Sequence, residues 1–487
     1  MKKKDILSLI FFLSLILILI MDSYLFLPNQ VLVAADLGIY FDTIGIIIGT
    51  YIVVHGISII IFGYLTDRIE RKRLIIFAGV LWSLSAIMHI LISNIIHLYI
   101  ARIAAAIASG VTGPLAISYL TDIVSSDSRS KLFAGWTLIT TLGSLVAGVI
   151  ALMFNQIPFD LIDIESEGIR ANIDHIKVYY ANLLNTWRFP FLILGLIGLI
   201  FTILNVFLTQ EPKRAAKDKL LEDILSEEEL QYSYRIKFSD LKTIFKRKSN
   251  IFLTINFFDV VVSGLLVAYL FPYFELELGI SFSDPLGLAS IIVLILIIGP
   301  LGFVIGQFGL AYLGDKKVQK GDLTGRVKIA TICGILNIPF ILIGFMMKPN
   351  VANQTFFLNN IAVNIVGFWF LWITFGLFLG IGLGFSLGIA PNWYSSLIDG
   401  NLPEHRGTMV AMGLFIDTFG RALGAILGGF IVNLTDSFSL TIIWSTLIFG
   451  IISTCFWIPL FYTSEKDYTY IDEIMKERST TLDKTRD

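Results

Sequence analysis

The sequence predicts an all-α membrane protein of twelve transmembrane helices, arranged as two pseudo-symmetric bundles of six. Three observations carry that expectation. Hydrophobic residues make up 55% of the chain, charged residues only 15%, and the mean hydropathy is +0.79, a composition suited to lipid as solvent. The apolar residues fall into long runs bounded by short charged clusters, and similar charged motifs recur at matching places in the two halves.

Each predicted span is long enough to cross about 30 Å of hydrocarbon as a helix. A helix satisfies its own backbone groups where water is absent. The first half carries spans at 6–28, 41–64, 74–93, 96–121, 130–154 and 187–209. The second carries them at 250–274, 287–313, 327–347, 363–396, 407–433 and 438–462. The first run follows Lys2, Lys3 and Lys4 and has the outline of a secretory signal, with Val33-Ala34-Ala35 as a cleavage site. Its length and its interior Asp22 favour a retained span. In the eighth, Gly299-Pro300 and Gly302 predict a kink. These spans divide the chain into an N-terminal bundle (1–209), a cytoplasmic linker (210–249), a C-terminal bundle (250–462) and a cytoplasmic tail (463–487).

Of the 36 Lys and Arg residues, 30 lie in the even-numbered connections and the two tails, 4 in the odd-numbered connections and their edges, and Arg102 and Arg421 within spans. Positive residues stay on the cytoplasmic side, so both termini of this multi-pass cell-membrane protein are expected inside, which requires an even number of spans. Lys246-Arg247-Lys248 ahead of the seventh span reads as a cluster facing anionic lipid. The external stretch from Asn155 to Thr186 is polar and is expected to hold a short surface helix through Val178-Tyr179-Tyr180. A net charge of −2 gives no support to a nucleic-acid partner. Cys333 and Cys455 sit in apolar runs, with no disulfide or zinc pattern. No metal-binding or nucleotide-binding motif is visible, so neither a metal, a cofactor nor an ATP-driven engine is expected. Gly384-Phe385-Ser386-Leu387-Gly388 matches the spacing of a hydrolase nucleophile elbow, but that chemistry needs a strand-to-helix turn and this serine lies in an apolar run, so no enzyme is expected.

Gly63-Tyr64-Leu65-Thr66-Asp67-Arg68 closes the second span, and Ala311-Tyr312-Leu313-Gly314-Asp315-Lys316 closes the eighth. Asp122 to Arg129 in the first half likewise matches Asp399 to Arg406 in the second. Such spaced pairs indicate internal duplication. With Arg71-Lys72 following, the first motif resembles the loop signature of the major facilitator superfamily, with Glu70 at a position where that family has glycine. Arg102, Trp187-Arg188, Glu211-Pro212-Lys213-Arg214 and Leu402-Pro403-Glu404-His405-Arg406-Gly407 extend the resemblance over nearly the whole chain. Asp22, the Gly-Tyr-Leu-x-Asp-Arg motif and Trp82-Ser83 are similar to Spinster-like members. Where those carry a glutamate after the span-four arginine, this chain has Ala105, Ala106, Ala108 and Ser109. The resemblance implies the major facilitator fold. It also implies a cytoplasmic charge latch of Gly63, Asp67, Arg68, Arg71 and Asp122, with Arg129, Asp315 and Arg406 completing it.

An ionisable group within a span is expensive and is by default a functional candidate. The candidates are Asp22, His55, Arg102, Asp259, Asp417 and Arg421. By the resemblance, the spans of Asp22 and Arg102 line a central cavity, so the two are expected to pair there, either as a coupling device or as a structural bridge. Asp417 and Arg421, four residues apart, share a helix face and can neutralise each other without any substrate. Asp259 has no basic residue in its own span and is a second candidate for a titrating site. The expected function is secondary transport of a small organic or amphipathic, lipid-like anion by alternating access, coupled to protons, by a monomer in contact with membrane lipids. A facilitative uniporter and a transport-dead membrane sensor remain the alternatives.

Overall fold

The computed structural model describes residues 3–66, 68–123, 129–159, 164–211, 244–349 and 361–484, and among these the chain is helical with no strand. Among the described residues, ten helices are long and apolar enough to cross a membrane, and a pair bent by 41° at Met21 makes an eleventh. A shorter apolar stretch, Gly143–Phe154, stands where the fifth span is expected. The chain forms two compact units: Met1–Tyr232 with Ser281–Asp284, and Ser233–Ile280 with Pro285–Asp487.

The first unit comprises α1 (Lys3–Ile20), α2 (Asp22–Phe26), α3 (Gln30–Leu37), α4 (Phe41–Thr66), α5 (Arg71–Met88), α6 (Ile95–Gly110), α7 (Thr112–Ile123), α8 (Arg129–Phe154), α9 (Ile164–Tyr179) and α10 (Arg188–Leu208). The expected first span is therefore longer than 6–28 and is broken, running from α1 through α2 to α3. Val33, Ala34 and Ala35, the residues with the outline of a cleavage site, are fully buried in α3. α10 shows how a membrane helix sorts its faces. Leu196, Ile200, Ile203 and Phe207 are exposed, whereas Leu194, Gly198, Thr202 and Asn205 are buried. The large apolar side chains thus suit lipid, and the small and polar ones face neighbouring helices. A Cβ on Gly198 would lie 2.8 Å from Ser83 Oγ and 2.9 Å from the Trp82 ring, so glycine there lets α10 approach α5. The helix expected between the fifth and sixth spans is α9, which begins before Val178 and buries Ile169, Ile173 and Ile176 at helical spacing.

The second unit comprises α11 (Lys248–Ile255), α12 (Phe258–Leu276), α13 (Pro285–Pro300), a π-helical segment (Leu301–Leu310), α14 (Ala311–Gln319), α15 (Gly325–Met346), α16 (Ile361–Asp399), α17 (Pro403–Thr435) and α18 (Phe438–Lys484). The irregularity expected at Gly299-Pro300 takes the form of that π segment. It packs on α16, and a Cβ on Gly306 would collide with the Gly384 backbone. Gly384 and Gly388 of the elbow-like motif are therefore packing residues on a helix. α12 and α17 approach as closely: a Cβ on Gly424 would lie on the Val261 carbonyl group, and one on Gly264 would lie 2.7 Å from Arg421 Cα. The last helix does not stop at 462 but continues to Lys484, so most of the expected tail is helical.

Candidate functional site

Asp22 is the first residue of α2, directly after the break at Met21. A carboxylate at a helix N-terminus meets the positive end of the backbone dipoles. Its Oδ2 accepts from Arg102 Nη1 on α6 at 2.7 Å, and its Oδ1 accepts from Trp82 Nε1 on α5 at 3.2 Å. The pair is almost wholly enclosed, with side-chain exposures of 3% for Arg102 and 1% for Asp22. The guanidinium lies 4.6 Å from the Phe26 ring centroid and 4.3 Å from that of Tyr51, and aromatic faces attract a cation electrostatically. Among the described residues, buried Arg102 Nε has no hydrogen-bond partner. The site thus holds a neutralised acid and base with one donor unspent.

His55 bonds to Ser109 rather than to the ion pair. Its Nδ1 lies 3.0 Å from Ser109 Oγ, which in turn lies 2.9 Å from the Tyr51 hydroxyl. A second histidine, His89, is fully buried, stacked on Phe191 with ring centroids 4.0 Å apart, and its Nδ1 lies 2.8 Å from Ser85 O. Sequence reasoning passed over it because it falls at the end of the third span. A further buried bridge joins Arg188 Nη2 to Asp36 Oδ2 at 2.7 Å, and Trp187 Nε1 donates to the same oxygen at 3.1 Å. Trp187-Arg188 drew notice as a motif; Asp36, from the other end of the broken first span, did not.

In the second unit, α11 and α12 break at Asn256-Phe257, two residues before Asp259. Asp259 lines a cavity of about 90 Å³ with Ser263, Trp393, Tyr394, Asp417 and Arg421. Arg421 Nε donates to Asp417 Oδ2 at 3.0 Å, and Arg421 Nη1 donates to Ser263 Oγ at 3.0 Å. The acid–base pair four residues apart is formed, and its arginine also reaches across to α12. Both units therefore place an acid beside a break in their first helical span.

The latch residues are spread. Arg68 stacks over Tyr64, its guanidinium 4.1 Å from the ring centroid. Arg71 Nε donates to Ser118 Oγ at 2.8 Å, and Arg71 Nη1 lies 3.6 Å from Glu211 Oε1. A Cβ on Gly63 would meet nothing within 4 Å. Asp67 lies outside the described residues; Asp122, Arg129 and Arg406 are described in backbone only, on α7, α8 and α17. In the second unit Asp315 Oδ1 accepts from Arg326 Nη2 at 2.7 Å and from Nε at 3.0 Å, while Arg326 Nη1 bonds Asp399 Oδ2. Arg326, at the start of α15, is the counterpart of Arg71 at the start of α5. Its place in the repeat is masked in the sequence because eleven residues separate it from Asp315.

Broken apolar spans, charges buried between helices, and duplicated charge clusters at helix ends define a multi-pass helical membrane protein built from two related units. The chain belongs to the Major Facilitator Superfamily, whose family model matches residues 11–381. In sequence it is similar to the arabinose-proton symporter of Bacillus subtilis (strain 168), 29% identical over 99 residues, which cover 20% of this chain and 21% of that protein. It is also similar to the quinolone resistance protein NorA of Staphylococcus aureus, 23% identical over 180 residues, covering 37% of this chain and 39% of NorA. The matched stretches thus span well under half the length of either protein. In fold it is similar to a bacterial homolog of the human lysosomal transporter Spinster in its inward-facing, unoccupied conformation, with a TM-score of 0.68 and 17% identity over 96% of this chain and 99% of that one.

Proposed function

We propose that this protein is a secondary transporter that moves a small organic or amphipathic anionic solute by alternating access, driven by protons. The observation that carries the reading is the enclosed Asp22–Arg102 pair at the break of the first span. A charge pair buried between helices is a costly element that stability alone does not demand. While Asp22 is ionised, it holds Arg102. A proton on Asp22 cancels that hold and releases the guanidinium to an anionic group of the solute, so that proton and solute enter together. The apolar and aromatic surroundings of Arg102, Phe26 and Tyr51, suit the non-polar part of an amphipathic molecule. Similarity to a proton symporter supports the coupling ion.

The charge clusters at the helix ends act in this reading as gates, since a gate needs bonds present in only one conformation. The distribution of Lys and Arg supports a cytoplasmic position for both termini and for these clusters. The test is Asp22→Asn in proteoliposomes. Uptake driven by a proton gradient is lost while solute counterflow persists; driven uptake unchanged from the native protein contradicts the proposal.

A further inference from the structure

The second unit contains a cavity distinct in character from the sites above. It has room for about 10 Å³, the space of one water-sized sphere, and its polar lining comes from Asp259, Ser263, Asn337, Ser386, Thr446 and Ser453. Among the described residues no lysine, arginine or histidine lines it. Among the described residues, Thr446 Oγ1 and Ser453 Oγ have no hydrogen-bond partner, although the two residues are only 1% and 2% exposed. Asn256, at the break between α11 and α12, donates through Nδ2 to Ser453 O at 3.3 Å and leaves its own buried Oδ1 unpartnered. Buried hydroxyls and amides without partners are uncommon, because each forfeits its bonds to water. Two unpartnered hydroxyl oxygens in the lining, beside the Asp259 carboxylate, point to a cationic occupant.

We propose that this cavity binds a single small alkali-metal cation, with sodium as the natural fit. The ligand set is oxygen only, which suits a hard ion. Charge decides the valence. Arg421 is held by Asp417 and by Ser263, so Asp259, Asp417 and Arg421 together carry one excess negative charge, which one monovalent ion cancels. A divalent ion leaves an excess positive charge among apolar helices, where uncompensated charge is expensive. The position agrees with the way broken membrane helices expose backbone and side-chain oxygens to coupling ions. Because α12, α15, α16 and α18 all line the cavity, the ion fastens the second unit internally.

The inference concerns ion binding alone and does not depend on Asp22 or on transport. The experiment is thermal unfolding of the intact protein in detergent, titrated with sodium, lithium, potassium or choline chloride at constant ionic strength and constant pH. A ligand that binds only the folded state raises the melting temperature in proportion to the logarithm of its concentration once the site is filled. Sodium is expected to raise it along that logarithmic curve and choline not at all, with potassium weaker than sodium. Asp259→Asn abolishes the sodium response, Ser453→Ala and Thr446→Val each weaken the apparent affinity severalfold, and Asp22→Asn retains it. If Asp259→Asn does not fold, the two hydroxyl variants carry the comparison. Equal melting in sodium and choline overturns the proposal, as does an unchanged sodium response in both hydroxyl variants. The titrations are repeated at a second pH: melting that shifts with pH but is identical in every salt also overturns the proposal and assigns the neutralising charge to a proton.

Discussion

Arg102 makes its charged bond to one residue, Asp22, and rests on two aromatic rings, which makes the pair asymmetric under mutation. Arg102→Ala leaves an uncompensated buried carboxylate and is expected to cost about 3–5 kcal/mol. The double variant Arg102→Ala with Asp22→Asn removes both charges and recovers a large part of that loss; thermal or denaturant unfolding of the three variants measures the difference. Asp22 and Arg102 were legible in the sequence because a charge in an apolar run has few explanations. Trp82 was legible only as part of a motif: nothing in its neighbours reveals that its indole N–H reaches a carboxylate sixty residues away. Arg326 was missed because the longer loop after α14 hides its correspondence with Arg71. The bonds of Arg326 to Asp315 and Asp399 predict that Arg326→Ala slows the transport cycle while leaving the solute concentration for half-maximal uptake nearly unchanged. Initial uptake rates across a range of solute concentrations check this.

At the scale of the helices, apolar run length fixed the spans well, since length and hydropathy are what a bilayer requires of a helix. The irregularity at Gly299-Pro300 was legible, but the break in the first span of each unit was not. Met21 and Asn256-Phe257 interrupt helices without a proline or glycine at the break itself, so local propensity gave no warning, and the packing of neighbouring helices decides the outcome. Glycines show the same division. Gly424 faces the Val261 carbonyl group and Leu265 N, the latter 3.0 Å from the position a Cβ would occupy, so Gly424→Ala forces α12 and α17 apart and is expected to cost about 1–3 kcal/mol. Gly63 has open space around it; there alanine raises helix stability by about 0.5–1 kcal/mol. If Gly63 serves the gate through a close approach in another conformation, Gly63→Ala melts no lower than the native protein and yet transports more slowly. Paired melting curves and uptake rates separate the two glycines.

Across the whole molecule, the repeat visible in the sequence as two charged motifs is matched by a broken first span with an acid beside the break in each unit, Asp22 in one and Asp259 in the other. Their surroundings differ. Asp22 is paired with an arginine on α6, whereas Asp259 borders a cavity whose arginine is held by another acid. Duplication thus supplied two acids of like position, and divergence gave them unlike partners, a distinction that follows from helix packing and is absent from the motifs. The central claim is that Asp22 couples a proton to a solute. Its most direct measurement is proton flux into proteoliposomes holding a pH-sensitive dye, under an inward proton gradient, as solute pools are added. Solute-dependent acidification is expected with the native protein and none with Asp22→Asn. The same solute-dependent acidification in that variant contradicts the claim.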